Sequence, residues 1–507
     1  MKTYHTIKTL ALGGIAMFSL ASCSLDYEPL SEPSEITQGG QTETSTAVLK
    51  DKAAADAQLK SLYELFRNRQ EHTHLDYLLI GDSHSDNAYA GTTGAEVVPY
   101  ETNSIDASNS VLSRDWNRYL EDIAKANVLI NGVEQLKENG QISETEYHSY
   151  KAQGEIFRAL MMFRMARLWG SFPVITTIAK TITSENINEV YPTYYPPRKT
   201  PKECYEQIIA DLTDAEQYAP DNDNSDRTKM TKTVAQAMLA KVYAEKEVQD
   251  YDKVIAYADK VMNTTGVELE DSYETLWGYD ETAIDCMKRN TKEGILEVHW
   301  SGGGNWETWM YGRQLDNWDY YFTWAKWITP SRDIINDFDK EGDEVRKNQA
   351  IVYYACTWSN YYPASNYPFM YKLRSSYNNI YWVRLADIIL MKAEAEAYKG
   401  NLAESAKLVN QIRKRAKLKE LTSDKTGSKE SMIEAVLHER RLELAFEGER
   451  WFDLCRNNKV EQYLNGIDNR DSGRIRQVKQ FDSNSYLLPI PQTALDQNTN
   501  LEQNPGY

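Results

Sequence analysis

The sequence predicts a mainly α-helical protein with one loop-rich region set among its helices. Two long segments, Arg114–Lys137 and Ser143–Trp169, place apolar residues at helical spacing. Pairs of shorter amphipathic segments follow them in the chain. The stretch 266–378 differs, because it contains Gly302-Gly303-Gly304, turn residues and dense aromatic residues. Loops carried on a helical scaffold are where binding groups commonly lie, so this stretch is the first candidate for a functional surface.

The N-terminus has the pattern of an export signal. Lys2 and Lys8 precede an apolar stretch, Leu10–Ala21, which is too short to remain as a membrane span. Leu20-Ala21-Ser22-Cys23 resembles the lipobox of bacterial lipoproteins, in which the signal is cut before a cysteine that becomes acylated. We predict a signal peptide over 1–22, lipidation of Cys23, and a flexible tether over 23–50 that is rich in Ser, Thr, Glu and Pro.

The later helices are predicted as pairs. Thr200–Tyr218 has a proline just inside its start, where the missing N–H costs nothing. Tyr251–Met262 follows a helix that ends near Tyr243, and Gly400 separates an apolar face beginning at Leu385 from another that ends at Ala416. Small alanines where helices cross, with an aromatic residue near the turn, resemble tetratricopeptide repeats. At these positions the pattern indicates packing.

Composition excludes several classes of protein. The chain has 507 residues and a formal net charge of −18, whereas a nucleic-acid-binding protein needs a basic face to neutralise phosphates. Hydrophobic residues make up 41% and mean hydropathy is −0.63, which excludes a protein with many membrane spans and also wholesale disorder. Tyrosine (34) and tryptophan (12) each outnumber phenylalanine (11), and their polar tips suit half-exposed positions.

Motifs for catalysis and metal binding are weak. The phosphate-loop, dinucleotide, zincin and nucleophile-elbow patterns are all absent from the sequence. Gly81-Asp82-Ser83-His84 resembles the first block of GDS-type esterases, but the later segments that would supply the base are missing. His72, His74 and His84 form the one histidine cluster and lack an evident further ligand. We expect no cofactor and no metal, although a structural calcium ion is compatible with an acidic surface.

The remaining cysteines carry no zinc or redox motif, because they are far apart and include no C-x-x-C pair. We expect buried free thiols. In an exported chain, a disulfide between two of them is an open alternative, and their spacing does not indicate which two would pair. The four are Cys204, Cys286, Cys356 and Cys455.

Several segments together carry a family resemblance. They are Gly154–Leu160, Arg167–Val174, Arg384–Ala395, Asn410–Ala416, Glu439–Leu454, Leu488–Pro491 and Asn500–Tyr507. In this order they resemble the SusD/RagB family of surface nutrient-binding lipoproteins, named from the starch utilisation system. The resemblance runs from the lipobox to the last residue, with an N-terminal helical part over 51–265 and a C-terminal part over 266–507 that includes the aromatic loop region 300–378.

The resemblance implies a SusD-like fold on tetratricopeptide-like helix pairs, without catalysis. It implies a lipid-anchored protein on the outer face of the outer membrane, acting as a lid over a SusC-like, TonB-dependent barrel. Such proteins capture glycans, and in a minority of cases peptides, for import. The charged residues of Glu439–Asp453 have spacings that allow ion pairs within a helix, and we interpret them, with Trp169 and Trp451, as structural.

The strongest candidate for ligand binding is a cluster of tryptophans. Trp300, Trp306, Trp309, Trp318, Trp324 and Trp327 fall within 28 residues and make up six of the 12 tryptophans. Sugar rings present flat C–H faces to aromatic rings, while their hydroxyls need amide, carboxylate or guanidinium partners. The segment supplies such partners in Asn305, Arg313, Asp316, Asn317 and Asp319. We predict ligand contacts for Trp306, Trp309, Tyr311, Trp318 and Tyr320, and burial for Trp324 and Trp327.

Weaker candidates flank this cluster. Trp358 and Tyr361 follow it in the chain, and Arg374 lies in a strand-like segment. In the family that the chain resembles, the ligand site is also fed by the loop after the first helices, here Gly81–Tyr100. Its candidates are Asp82, Asp86, Asn87 and Tyr89.

These observations favour a surface glycan-binding lipoprotein that passes oligosaccharide to a barrel transporter. A peptide-binding protein of the same fold is the first alternative, since an aromatic groove with asparagines would serve a peptide as well. A surface hydrolase is the second, because a glycosidase needs only two suitably placed carboxylates, and the chain has 75 acidic residues.

Overall fold

The computed structural model describes residues 49–91, 94–300 and 326–507. The structure is mainly helical, with little strand, which confirms the predicted fold class. The predicted signal peptide, Cys23 and most of the tether lie outside the described residues. Five predicted ligand contacts lie outside them as well: Trp306, Trp309, Tyr311, Trp318 and Tyr320.

The α-helices fall into an N-terminal set and a C-terminal set. The first set is α1 Lys52–Asn68, α2 Asp76–Leu78, α3 Val98–Thr102, α4 Ser110–Glu138, α5 Glu144–Trp169, α6 Ile187–Val190, α7 Pro201–Tyr218, α8 Lys232–Ala244, α9 Tyr251–Met262 and α10 Tyr273–Trp277. The second set is α11 Arg332–Glu341, α12 Glu344–Ala350, α13 Leu385–Lys399, α14 Leu402–Arg415, α15 Ser423–Thr426, α16 Lys429–Glu443, α17 Arg450–Arg456, α18 Val460–Leu464, α19 Ile467–Arg470 and α20 Gln492–Gln497.

The strands are short and form two-stranded antiparallel ladders. They are β1 Ala88–Tyr89, β2 Tyr279–Asp280, β3 Asp285–Cys286, β4 Gly294–His299, β5 Thr329–Pro330, β6 Ile351–Tyr354, β7 Tyr367–Met370 and β8 Asn379–Arg384. β1 pairs with β5, β2 with β3, β4 with β8 and β6 with β7. Around α2, the backbone from Glu71 to Leu75 and from Leu79 to Ser83 is π-helical. One-turn 3-10 helices span Tyr191–Tyr194, Ala364–Asn366 and Ser483–Tyr486.

Helix boundaries follow the local signals of the sequence. Thr200 and Ser143 cap α7 and α5 with capping boxes, in which the side chain of a glutamate three residues on returns the hydrogen bond. Ser331 caps α11 by accepting a hydrogen bond from the backbone N–H of Ile334. Gly400 ends α13 with a left-handed backbone, φ 84°, which glycine adopts without steric cost.

Successive helices pack against one another around one main apolar core. α5 contacts both α4 and α7, α9 contacts α8 and α13, and α13 contacts α14 and α16. The predicted helix pairs therefore exist, and the second pair stacks on the first through α9 and α13. Trp169 and Trp451 are buried in this core, as predicted.

The charged residues of 439–453 are structural, as predicted, but most of their partners lie on other elements rather than one turn away. Arg440 bonds both Asp453 and Asp387 of α13 at 2.8 Å. Glu439 accepts from Arg346 of α12 at 2.7 Å and from Arg413 of α14. The ion pairs therefore join helices that are distant in sequence, because the charges lie at the crossing of these helices in the core.

The four described cysteines are free thiols, with Cys204 and Cys356 buried. Within 49–91, 94–300 and 326–507, no helix combines the length and the apolar character needed to cross a membrane.

Candidate functional site

The loop after the first helices is held in the interior. Asp82, at the end of the second π-helical turn, accepts hydrogen bonds from the backbone N–H groups of Phe446 and Gly448 at 3.1 and 2.9 Å. Asn87 donates to the same carboxylate at 2.8 Å and accepts from Arg441. Burial raises the pKa of Asp82 to about 7, against the opposing effect of these donors.

Asp86 is anchored by arginines of the C-terminal helices. Arg450 donates two hydrogen bonds to its carboxylate, at 2.8 and 2.9 Å. Burial by itself would raise the pKa of Asp86, but Arg441 and Arg450 hold it well below its ordinary value. Its backbone carbonyl also accepts a hydrogen bond from Ser331. The loop is thus fixed to α11, α16 and α17.

The aromatic candidates of the described loops pack on one another. Tyr89 stacks on Tyr361 with ring centroids 4.3 Å apart, and its hydroxyl donates to Asp471. The hydroxyl of Tyr361 bonds Glu101 at 2.7 Å and the Gly91 carbonyl. Trp358 packs edge-on against Tyr367 and Phe369 of β7.

Arg374 is also turned inward. Its guanidinium donates to the backbone oxygens of Tyr371 and Gln349, both at 2.7 Å. Burial lowers the pKa of this guanidinium to about 10. Arg374 therefore ties the segment before β8 to the end of α12.

Seven predicted ligand contacts are thus buried side chains engaged with the protein: Asp82, Asp86, Asn87, Tyr89, Trp358, Tyr361 and Arg374. A ligand contact requires an exposed side chain, whereas these seven side chains are buried. A buried side chain with internal partners offers no surface to a ligand, so the structure gives these residues the role of holding the loops in place. Trp327 is buried, as predicted.

The esterase-like segment has no catalytic geometry. The Ser83 hydroxyl donates to the backbone carbonyl of Trp327 at 3.0 Å, and a ring nitrogen of His84 bonds the carbonyl oxygen of Tyr100. Burial lowers the pKa of His84 to about 4 and that of His74 to about 3. His72 bonds Asp122. Across the described ranges, no group of three acidic, histidine or cysteine side chains is arranged to hold a metal ion.

The aromatic segment 301–325 is flanked by two fixed residues. The backbone N–H of Trp300 donates to Asn378, its carbonyl accepts from Arg289 at 2.7 Å, and its ring meets that of His74 edge-on. At the other end, the carbonyl oxygen of Trp327 accepts a hydrogen bond from the Ser83 hydroxyl. Both ends therefore attach to the π-helical region and its neighbours.

A groove of about 790 Å³ lies where four elements meet. Its walls are α1, the N-terminal half of α5, the loop 220–229 and the end of β4. The lining side chains are Lys60, Tyr63, Glu64, Phe66, Arg67, Gln153, Pro220, Asp226, Thr228, Lys229, Glu297, Val298 and His299. The cavity is large enough for a small-molecule ligand, and it combines two aromatic rings with nine polar or charged side chains. We refer to it as the α1 groove.

Two buried residues hold the rim of the α1 groove. The backbone N–H of Arg227 donates to the side-chain oxygen of Asn290 at 2.9 Å, and its carbonyl oxygen accepts from the backbone N–H of Glu297 in β4 at 2.8 Å. The Glu297 carboxylate accepts from both backbone and hydroxyl of Thr291 and pairs with His299 at 2.8 Å. The loop and the strand are thus bonded directly to each other.

Comparison with known proteins agrees with this architecture. The family model described as SusD family matches residues 292–507. A second, SusD-like model, described as "Starch-binding associating with outer membrane", matches residues 41–244. The chain belongs to the SusD family. The predicted resemblance is confirmed, and the two matches together span most of the chain.

Individual SusD-like relatives are similar at low identity. A SusD-like protein P2 of Formosa agariphila is 27% identical over 440 residues, covering 79% of this chain and 81% of the relative. A SusD-like protein of Bacteroides ovatus is 24% identical, covering 74% and 70%. Among solved structures, a SusD superfamily protein from Bacteroides vulgatus matches with TM-score 0.73 and 21% identity, over 91% of this chain and 100% of that one. A laminarin-binding SusD-like protein matches with TM-score 0.69 and 22% identity, over 90% and 100%.

The α1 groove was missed in the sequence. Tyr63 and Arg67 are four residues apart on one face of α1, which is a visible but common signal. Asp226 and His299 lie far along the chain, in a loop and at a strand end. Only the packing of α1 against the loop 220–229 and β4 brings them together.

Proposed function

We propose that this SusD-family protein binds glycan at the cell surface and delivers it to a SusC-like, TonB-dependent transporter. The observation that carries the proposal is the match of both halves of the chain to SusD-family models, one of them described as starch-binding and associated with the outer membrane. The similarity of the fold to a laminarin-binding SusD-like protein supports a glucan as the first ligand class to test.

In this proposal the aromatic segment supplies the main contacts with sugar. Trp306, Trp309, Tyr311, Trp318 and Tyr320 lie between two ends that are fixed by Trp300 and Trp327. Aromatic rings bury large areas at low conformational cost, and the neighbouring amides and carboxylates suit hydroxyl groups. The seven buried side chains described above keep the adjoining loops in place.

The proposal includes a lipid anchor at Cys23 in the outer membrane, with the globule facing the exterior. Each acyl methylene that enters a bilayer contributes about 0.8 kcal/mol, so several chains suffice for stable attachment. The tether over 23–50 then separates the globule from the membrane. Binding without turnover is the expected activity, with no cofactor.

The test is calorimetry on the chain from residue 24, without the signal peptide and the lipidated Cys23, with laminarin, starch and a panel of peptides. Trp306→Ala, Trp309→Ala and Trp318→Ala are each expected to weaken glycan binding about tenfold, which is ~1.4 kcal/mol. Tyr191→Ala removes an exposed aromatic ring elsewhere and is the matched control. Unchanged affinity in all three tryptophan variants overturns the proposal that the aromatic segment binds the sugar. Binding of peptides and of no glycan establishes the peptide-binding alternative instead.

A further inference from the structure

We propose that the α1 groove is a second carbohydrate subsite, which holds an uncharged stretch of a longer glycan chain. The inference rests on the proposed function, because it assigns part of the same ligand to a separate surface. The groove belongs to the described scaffold, and none of the residues predicted from the sequence lies in it.

The first argument is a ring held in a fixed orientation. Tyr63 is partly buried, and its hydroxyl donates to Gln153 at 2.6 Å while accepting from the backbone N–H of Met230 at 3.0 Å. Both capacities of the hydroxyl are therefore used inside the protein, and the ring cannot rotate freely. Phe66 lies beside it and packs edge-on against Phe157 and Trp382. A pre-positioned aromatic face reduces the entropy that binding costs.

The second argument is the polar set around that ring. Arg67 is exposed in the last turn of α1, and among the described residues its guanidinium makes no ion pair or hydrogen bond. Asp226 is oriented by Thr228, whose N–H and hydroxyl both bond one carboxylate oxygen. His299 is oriented by Glu297, whose carboxylate bonds the Nε2 atom of the ring and leaves Nδ1 for a ligand. These groups come from three different elements and provide both donors and acceptors, as sugar hydroxyls require.

The third argument is charge. The exposed cations of the groove are Lys60, Arg67 and Lys229, and its lining also holds three carboxylates, Glu64, Asp226 and the buried Glu297. Lys60 is 3.8 Å from Glu64, and Lys229 is 3.7 Å from Asp226. The groove is thus close to neutral although the chain carries −18 overall. A near-neutral surface with one unpaired guanidinium suits a neutral sugar better than a polyanionic or polycationic chain.

The fourth argument is position. His299, in the groove wall, is the last residue of β4 and is followed directly by Trp300, where the aromatic cluster of the sequence begins. In this proposal the groove binds one part of a long glycan chain and the cluster binds another. The physical consequence is a dependence on chain length, because short oligosaccharides fill one subsite and long ones fill both.

The experiment measures affinity against chain length by calorimetry on the mature protein, with maltooligosaccharides and laminarioligosaccharides from disaccharide to octasaccharide. Wild-type affinity is expected to rise with length. Arg67→Ala and Tyr63→Leu are expected to leave short chains unaffected and to weaken the longest chains about tenfold. Arg118→Ala, at an exposed arginine paired with Glu121 on α4, is the matched control. Arg67 is exposed, so its variant keeps the test valid if Tyr63→Leu fails to fold.

The outcomes separate this inference from the proposed function. Suppose that the wild-type protein binds glycan and that the Trp306, Trp309 and Trp318 variants do not. If the affinity of Arg67→Ala then rises with chain length as much as that of the wild type, the groove proposal is overturned and the proposed function stands. If the wild-type protein binds no glycan of any length, both are overturned. Polygalacturonate is added to the same assay as an anionic chain. If Arg67→Ala weakens the binding of polygalacturonate but of no neutral chain, the groove selects anionic sugars and the proposal of a neutral ligand is wrong.

Discussion

The rings of Tyr89 and Tyr361 stack 4.3 Å apart at an interplanar angle of 22°, joining β1 to the loop between β6 and β7. Each hydroxyl donates a hydrogen bond to a buried carboxylate, Asp471 for Tyr89 and Glu101 for Tyr361. The pair therefore connects loops that are more than 250 residues apart in sequence. This contact and its two hydrogen bonds hold β1 against the loop between β6 and β7.

Tyr361→Phe is expected to destabilise the protein by about 1–3 kcal/mol, because the buried Glu101 loses its hydroxyl donor while the ring stack remains. Urea denaturation followed by circular dichroism measures the change. Tyr353→Phe, at an exposed tyrosine of β6, is the control and is expected to change stability by less than about 0.5 kcal/mol. Equal effects in both variants contradict the role given to the Tyr361 hydroxyl.

The buried carboxyl of Asp82 is expected to make stability depend on pH. Its pKa is raised from 3.8 to about 7 in the folded protein, mainly by burial. Between these two pKa values the folded state keeps a proton that the unfolded state releases. The contribution of Asp82 to the free energy of unfolding is therefore lost as pH rises from about 4 to about 7. Asp82→Asn removes the titration. The stability difference between wild type and variant should fall with pH across this window and level off above it.

Urea midpoints measured at several pH values between about 4 and about 8 check this expectation, using the difference between wild type and variant so that other groups cancel. Asp221→Asn, at an exposed aspartate, serves as the control variant. A difference for Asp82→Asn that stays constant over the window contradicts the raised pKa.

Arg440→Gln is expected to cost about 3–5 kcal/mol. Arg440 is fully buried between Asp387 and Asp453, and its removal leaves both carboxylates in the core with fewer partners. Arg118→Gln breaks an exposed pair with Glu121 and is expected to cost less than about 1 kcal/mol. Thermal and urea unfolding of the two variants distinguish them, and similar losses would mean that the core ion pairs contribute no more than surface ones.

Gly81→Ala is expected to destabilise the fold by about 2–3 kcal/mol or more, because an added Cβ would lie 2.2 Å from the carbonyl oxygen of Gly448. This close approach lets Asp82 reach the N–H groups of the 446–448 turn. Gly140→Ala, where φ is +67° and no atom lies within 4 Å, isolates the backbone cost of about 1–2 kcal/mol. A loss at Gly81 no larger than that at Gly140 would contradict the steric explanation.

Much of the helical scaffold was predictable because its signals are local. Thr200 with Glu203, Ser143 with Glu146, and Gly400 each act within one helical turn, so the ends of α7, α5 and α13 follow from short stretches of sequence. The structural role of Arg440 was predicted, but its partner Asp387 was not. That pairing depends on how α16 crosses α13.

The candidate site was less predictable for the same reason. Asp82, Asn87 and Tyr89 have the residue types of a sugar site, and the sequence does not distinguish a polar loop that faces solvent from one folded against Phe446 and Gly448. Burial is a property of the whole packing, because it depends on what covers a residue as well as on its own chemistry.

The amino-acid sequence by itself determined the helical class, the SusD-family membership and the concentration of tryptophan between Trp300 and Trp327. Periodicity, capping residues and the order of motifs indicate these properties, and all three can be read from the linear sequence. Tertiary structure alone decided that Tyr361 and Arg374 are internal supports, and that Tyr63, Arg67, Asp226 and His299 share one groove. Such groupings arise when helices and strands distant in sequence pack together to bury their apolar faces, and no local pattern encodes which surfaces that packing leaves open.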